Sequence, residues 1–207
     1  MKVKICGITC ASDAVLCENF GVDYLGFNFF HKSRRYIPPD RAKNIIMSLQ
    51  KAIPVGLFVE ADIDYIKRIA DFCNLAGIQI HGEESVIFCN NLKKMFPGRI
   101  IIQAFRIIDM LPDNIVDFEC DFFLFDSFSP EIPGGTGKPF NWETLSLIRP
   151  FAHKSFIAGG ISYKNIDKLL SSITPYGIDV ATGVEKSPGI KDAGKVKMLV
   201  EKVKGKR

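Results

Sequence analysis

Residues 54–80 read PVGLFVEADIDYIKRIADFCNLAGIQI, and this stretch carries the plan of the whole chain. Pro54–Val59 is a short, nearly continuous apolar run. Continuous runs are expected of strands buried on both faces, as in a parallel sheet. In Asp62–Cys73, apolar Ile63, Ile66, Ile69, Ala70 and Cys73 fall at the three-to-four spacing of one helix face. Gly77–Ile80 is a second apolar run. Strand, helix and strand in that order predict a parallel β–α–β unit.

The alternation extends in both directions. Further runs lie at Val3–Cys6, Tyr24–Phe29, Ile100–Phe105, Phe122–Phe125, Phe156–Ala158 and Ile178–Ala181, making eight in all. Helical signals separate them. Ser12-Asp13-Ala14 reads as an N-cap before Val15–Phe20, and Pro38-Pro39-Asp40 opens Arg41–Lys51. Glu83–Met95, Asn141–Arg149, Lys164–Ser171 and Asp192–Lys204 follow the same logic, and Asp109–Phe118, with Pro112 and Asp113 near its start, is the poorest helix. Eight strands each followed by a helix predict an α/β fold, a (β/α)₈ TIM barrel. With no Gly/Ser linker or shift in composition, residues 1–207 read as a single domain with short loops. An open doubly wound sheet is the competing architecture. It asks for a Gly-rich turn after the first strand, and Cys6-Gly7-Ile8-Thr9 is not followed by G-x-G-x-x-G.

Composition narrows the classes. The apolar share is 47%, enough for a sizeable core, and 27 Lys and Arg against 23 Asp and Glu leave a net charge of only +4. That mild balance argues against a nucleic-acid binder. No run approaches the roughly 18 apolar residues of a membrane span, and the N-terminus lacks the apolar core of a signal peptide. The six cysteines (Cys6, Cys10, Cys17, Cys73, Cys89 and Cys120) are too sparse for a disulfide scaffold. No His or Cys cluster near Cys6 and Cys10 completes a zinc set. A cytoplasmic protein with reduced thiols is expected.

In this fold, function sits at the C-terminal strand ends. Those ends are polar: Cys6, Asn28, Glu60, His81, Arg106, Asp126, Gly159-Gly160 and Thr182-Gly183. Cys6 is either a buried apolar residue or a thiolate base or nucleophile, which would need nearby positive charge. Asp126, delivered by Phe122-Phe123-Leu124-Phe125, is either a turn cap or an acid/base group whose proton apolar surroundings would retain. Gly134-Gly135-Thr136-Gly137-Lys138 fails as a P-loop, because Ile132 and Pro139 stand where Gly and Ser or Thr are needed. It is a surface turn or a loop over a ligand.

The glycine turns Ala158-Gly159-Gly160-Ile161 and Ala181-Thr182-Gly183-Val184 follow the seventh and eighth runs, where such barrels often bind phosphate through backbone N–H groups. Lys32-Ser33-Arg34-Arg35 is a solvated loop or holds an Arg that clamps a carboxylate in bidentate fashion. His81 is a hydrogen-bonding residue or a second base. His31 and His153 receive no role.

Together these segments resemble the phosphoribosylanthranilate isomerase family over essentially the whole chain. The resemblance rests on Lys4-Ile5-Cys6-Gly7-Ile8-Thr9, Gly26-Phe27 through Ser33-Arg34-Arg35-Tyr36, Val55–Val59 and Gln79-Ile80-His81-Gly82-Glu83. It continues through Phe125-Asp126, Gly134–Gly137 with Phe140-Asn141-Trp142, Ala158–Ile161, Asp179–Glu185 and Pro188–Asp192. It implies a TIM barrel that performs an Amadori rearrangement of a small phosphosugar, N-(5-phosphoribosyl)anthranilate, without metal or organic cofactor. It also implies Cys6 as general base, Asp126 as general acid and Arg35, or Arg34 one register away, as the contact of the anthranilate carboxylate. Gly159, Gly160, Thr182 and Gly183 match the phosphate turns. Ala181-Thr182 stands where two serines are frequent, and Asn141 where Asp is frequent. Neither nucleic acid nor membrane is expected as a partner, and the chain is a monomer or a homodimer.

Two rival readings compete with this one. A synthase for indole glycerol phosphate shares the architecture, but a Lys at a strand end acting as general acid would favour it, and no run ends in one. A catalytically inert barrel kept for binding is disfavoured by the presence of both Cys6 and Asp126.

Overall fold

A computed structural model of the chain describes residues 1–82, 84–107, 110–127 and 145–205. Eight parallel strands close into a barrel in chain order. They are β1 (Lys2–Cys6), β2 (Tyr24–Asn28), β3 (Ile53–Phe58), β4 (Gly77–Ile80), β5 (Ile100–Ile107), β6 (Phe122–Ser127), β7 (Ser155–Ala158) and β8 (Gly177–Val180). The barrel closes where β1 pairs with β8, with Lys4 opposite Asp179.

Because side chains alternate across a strand, each strand feeds two cores. Tyr24, Val55, Ile102, Ala104, Leu124, Phe156 and Ala158 pack together inside the barrel. Their neighbours in sequence, among them Ile101, Phe105, Phe123, Phe125, Ile157 and Ile178, join the layer beneath the helices. Both faces are therefore apolar, which is why the strands read as continuous runs. The same parity turns Lys4, Cys6, Gln79, Asp126 and Asp179 inward.

Helices α1 (Ala11–Asn19), α2 (Pro39–Ser48), α3 (Ile63–Phe72), α4 (Val86–Met95), α5 (Leu145–Ile148), α6 (Ile166–Ser172) and α7 (Ala193–Lys204) lie between and after the strands. Asp62, Ser85 and Asp192 cap α3, α4 and α7 by accepting a backbone N–H three residues on. The cap expected at Ser12–Ala14 is not used. Cys10 precedes α1 without a side-chain cap bond, and buried Asp13 instead accepts the backbone N–H of Lys191 at 2.8 Å. Within Asp109–Phe118 the described residues form only a 3₁₀ turn at Ile115–Asp117, as Pro112 and Asp113 allow. A 3₁₀ segment, Arg149–Lys154, continues α5.

One element was not foreseen. After β8 and the 3₁₀ turn Thr182–Val184, the chain forms a short antiparallel hairpin of β9 (Glu185–Ser187) and β10 (Ile190–Lys191). It carries two buried charges, Glu185 and Lys191, to the barrel mouth.

Candidate active site

Cys6 ends β1 facing inward, buried at 7% exposure. The strand pairing sets Gly26 of β2 beside it, and a Cβ at Gly26 would lie 2.8 Å from the Cys6 sulfur. Glycine there makes the room the thiol occupies. The Cys6 carbonyl accepts a 2.6 Å hydrogen bond from Lys191 Nζ. Burial pushes the Cys6 thiol up, and Lys4, Lys191 and Arg35 pull against it while Asp179 adds to the rise. Three cations converge on one sulfur, which is the positive surrounding a thiolate requires.

Asp126 sits on β6 two residues after inward-facing Leu124. Burial holds its proton, the Asp179 carboxylate reinforces this, and Arg106 opposes it, which raises the carboxyl from 3.8 to about 6. Its partial exposure of 29% leaves the group reachable from the mouth. A carboxyl so placed can deliver a proton near neutrality, the property asked of a general acid.

His81 follows β4 and stands next to Asp126, with Nε2 3.8 Å from Asp126 Oδ2. Burial pushes the imidazole down to about 4, helped by Arg106 and Lys4, so it is neutral at physiological pH. Gln79 Nε2 lies 3.3 Å from His81 Nδ1. With the Gln79 amide in this orientation its nitrogen donates to Nδ1, which places the ring proton on Nε2, facing the acid. His81 is therefore a neutral donor beside Asp126 and a poor base.

Arg35, rather than exposed Arg34, enters the site. Glu185 grips its guanidinium in a fork, accepting from Nε at 2.9 Å and from Nη2 at 2.6 Å, and the Thr182 hydroxyl accepts from Nη2 at 3.0 Å. Arg35 is thus pre-oriented by a buried carboxylate. The same Glu185 accepts from Lys191 at 2.8 Å.

The two glycine turns meet at this side. Gly159 and Gly160 have φ of +94° and +59°, left-handed values that favour glycine and curl the backbone into a concave turn. Asn165 Nδ2 donates to the Gly160 carbonyl at 2.9 Å and fixes that turn. A Cβ at Gly183 would fall 1.9 Å from the Ile161 carbonyl oxygen, so only glycine lets the second turn pack on the first. Gly134 and Gly135 lie outside the described residues.

Of the other strand ends, Asn28 spends its side chain on the following loop, donating to Ser33 Oγ and accepting from Phe30 N–H. Glu60 is exposed, and its backbone N–H donates to Glu84 Oε1 at 3.3 Å. A cavity of about 550 Å³ opens beside His81, Phe105 and Arg106 and touches the site through His81, but Cys6, Asp126 and the glycine turns do not line it. A depression of about 610 Å³ lined by Phe29, His31, Glu60, Tyr65 and Arg68 contains none of Cys6, His81, Asp126 or the glycine turns.

Besides Asp13, four buried charges are not among the site residues read from the sequence: Lys4, Asp179, Glu185 and Lys191. Lys4 and Asp179 have a detectable signal, since each is a charge at an inward position of an otherwise apolar run. Glu185 and Lys191 lie in segments that carry the family resemblance, but nothing in their spacing marks them as buried.

The arrangement unites a buried thiol among cations, a carboxyl of raised proton affinity, a fixed guanidinium and two glycine turns. It can bind an anionic ligand at its ends and move protons at its middle. The profile of the family described as N-(5'-phosphoribosyl)anthranilate (PRA) isomerase matches residues 3–202. An N-(5'-phosphoribosyl)anthranilate isomerase of Geotalea uraniireducens is 42% identical over 206 residues, covering 99% of this chain and 98% of that one. The crystal structure of phosphoribosyl anthranilate isomerase from Thermus thermophilus is 30% identical, with a TM-score of 0.88 and 98% of both chains covered. A phosphoribosyl anthranilate isomerase in complex with reduced 1-(o-carboxyphenylamino)-1-deoxyribulose 5-phosphate is 30% identical and covers 100% of both chains at a TM-score of 0.83.

Proposed function

The chain belongs to the N-(5'-phosphoribosyl)anthranilate isomerase family of tryptophan biosynthesis, and we propose that it performs this isomerisation with Cys6 as general base and Asp126 as general acid. The reaction converts N-(5'-phosphoribosyl)anthranilate into 1-(2-carboxyphenylamino)-1-deoxyribulose 5-phosphate. Asp126 protonates the furanose ring oxygen while the nitrogen lone pair expels it, giving an open-chain Schiff base. The Cys6 thiolate then removes the proton from the adjacent sugar carbon, and the resulting enolamine tautomerises to the ketone. Groups so positioned typically contribute about 10²–10⁴-fold each. The turns at Gly159-Gly160 and Thr182-Gly183 bind the phosphate, and Arg35, held by Glu185, meets the anthranilate carboxylate. Clamps at both ends of the substrate hold the reacting atoms between acid and base. The closed barrel, with β1 paired to β8, supports reading residues 1–207 as one domain. Among the described residues no helix is long and apolar enough to cross a membrane.

The observation that carries this reading is the placement of two inward-facing groups on one barrel mouth, the Cys6 thiol at the end of β1 with Lys4, Lys191 and Arg35 acting on it and the Asp126 carboxyl on β6 raised to about 6 by burial and Asp179. The test follows loss of the fluorescence of the anthranilate-bearing substrate. Cys6→Ser and Asp126→Asn are each expected to lower kcat by at least about 10²-fold while circular dichroism shows an intact fold. Near-native turnover by either variant removes that residue from its role.

A further inference from the structure

Lys4 Nζ and Asp179 Oδ1 lie 3.0 Å apart inside the barrel, with side chains 0% and 8% exposed. Beyond Asp179 and the Cys6 side chain, Lys4 Nζ has no further hydrogen-bond partner among the described residues, and Asp179 Oδ1 has none beyond Lys4. A buried ion pair recovers its desolvation cost only with excellent geometry and further hydrogen bonds, and apolar replacement is often neutral or stabilising. Fold stability is therefore a poor reason for this pair.

Its position offers a better one. Lys4 precedes Cys6 by two residues on β1, so both side chains point into the barrel, the ammonium one layer beneath the thiol. Asp179 stands opposite Lys4 on β8, and the path around the barrel from β1 through β8 and β7 reaches β6, which bears Asp126. The cation thus shares the strand of the base, and the anion is displaced toward the acid. Resting on the acid–base reading above, we propose that Lys4 and Asp179 are positioning residues for the proton distribution of the site, Lys4 favouring negative charge on the Cys6 sulfur and Asp179 disfavouring it on the Asp126 carboxyl.

The reacting state needs a proton on the carboxyl and none on the sulfur, and a charge pair in this orientation favours that state over its reverse. The other charged groups facing Cys6 are Lys191 of β10 and Arg35 of the loop after β2. Both are also bonded to Glu185, at 2.8 Å and 2.6 Å. Arg106 and His81 face Asp126 together with Asp179.

Iodoacetamide alkylation of Cys6, followed across pH by peptide-resolved mass spectrometry, reads the thiol without turnover. A failure of the acid–base reading is seen separately, as near-native turnover in Cys6→Ser. Lys4→Met is expected to move the Cys6 alkylation midpoint up by about one pH unit or more. That change lowers the thiolate fraction, and with it kcat at pH 7, by about tenfold, with KM within about threefold. Lys4→Arg restores most of the loss. Asp179→Asn moves the midpoint the opposite way, downward, a sign reversal that general loosening of the core does not produce. An unmoved Cys6 midpoint in Lys4→Met, or shifts of the same sign in the two variants, overturns the proposal. If Lys4→Met does not fold, Asp179→Asn decides alone, and an unchanged or raised midpoint there overturns it.

Discussion

At neutral pH the Cys6 sulfur carries its proton, because burial pushes the thiol up, while Asp126, at about 6, has largely lost its own. The form that reacts has that single proton moved from sulfur to carboxyl. Both forms hold the same number of protons, so their ratio does not change with pH between the two ionisations. The expected dependence of kcat/KM on pH is therefore a bell. It rises through about 6, where the first proton of the pair leaves, and falls at alkaline pH as the second leaves. Alkylation of Cys6 should follow the alkaline limb. A profile that falls through pH 6, or Cys6 alkylation that follows the acid limb, contradicts the assignment.

The hairpin of β9 and β10 shows how a small element can organise a site made by larger ones. Through Glu185 it orients Arg35, and through Lys191 it ties down the Cys6 carbonyl. Lys191→Met leaves Glu185 with Arg35 as its one charged partner among the described residues and removes two buried hydrogen bonds. Breaking a buried pair on one side costs about 3–5 kcal/mol, so urea unfolding should show a loss of that order. A loss below about 1 kcal/mol would mean the hairpin is not held by this pair.

This hairpin was not legible in the sequence, since strands of three and two residues give periodicity nothing to act on. The eight barrel strands were legible because two apolar cores act on every residue of Val3–Cys6 or Phe122–Phe125 except the inward polar ones. Lys4 and Asp179 were passed over for the same reason: they break the pattern from within. Asp13 misled in another way, because a capping residue type was spent on Lys191 across the fold.

Over the whole molecule, activity and stability draw on different protonation states. Hydrogen bonds to three backbone N–H groups hold Glu18 below the usual carboxylate range against the opposing effect of burial. Burial opposes the lowering of Asp23 too, and bonds from Lys204, Val3 and Lys2 outweigh it. Such groups stabilise the fold above their unfolded values and lose that contribution as pH falls through the folded ones. Asp126 has the opposite sign. Its folded value, about 6, exceeds the ordinary 3.8, so the fold bears a cost that appears between those values and is complete above them. Asp126→Asn should accordingly raise stability to urea by about 1–2 kcal/mol at pH 8 and by much less at pH 4. A variant less stable at pH 8 would show that Asp126 is a structural cap rather than a reserved acid.

The chemistry at the centre of the mouth has one direct measurement, a crystal structure of this chain with a reduced product analogue bound. The acid–base account predicts the Cys6 sulfur and the Asp126 carboxyl on opposite sides of the sugar chain. The sulfur should lie within about 3–3.5 Å of the carbon next to the amine-bearing one, and the carboxyl within similar reach of the former ring oxygen. An analogue seated with the thiol sealed away from the sugar, or with both groups on one side of it, contradicts the account.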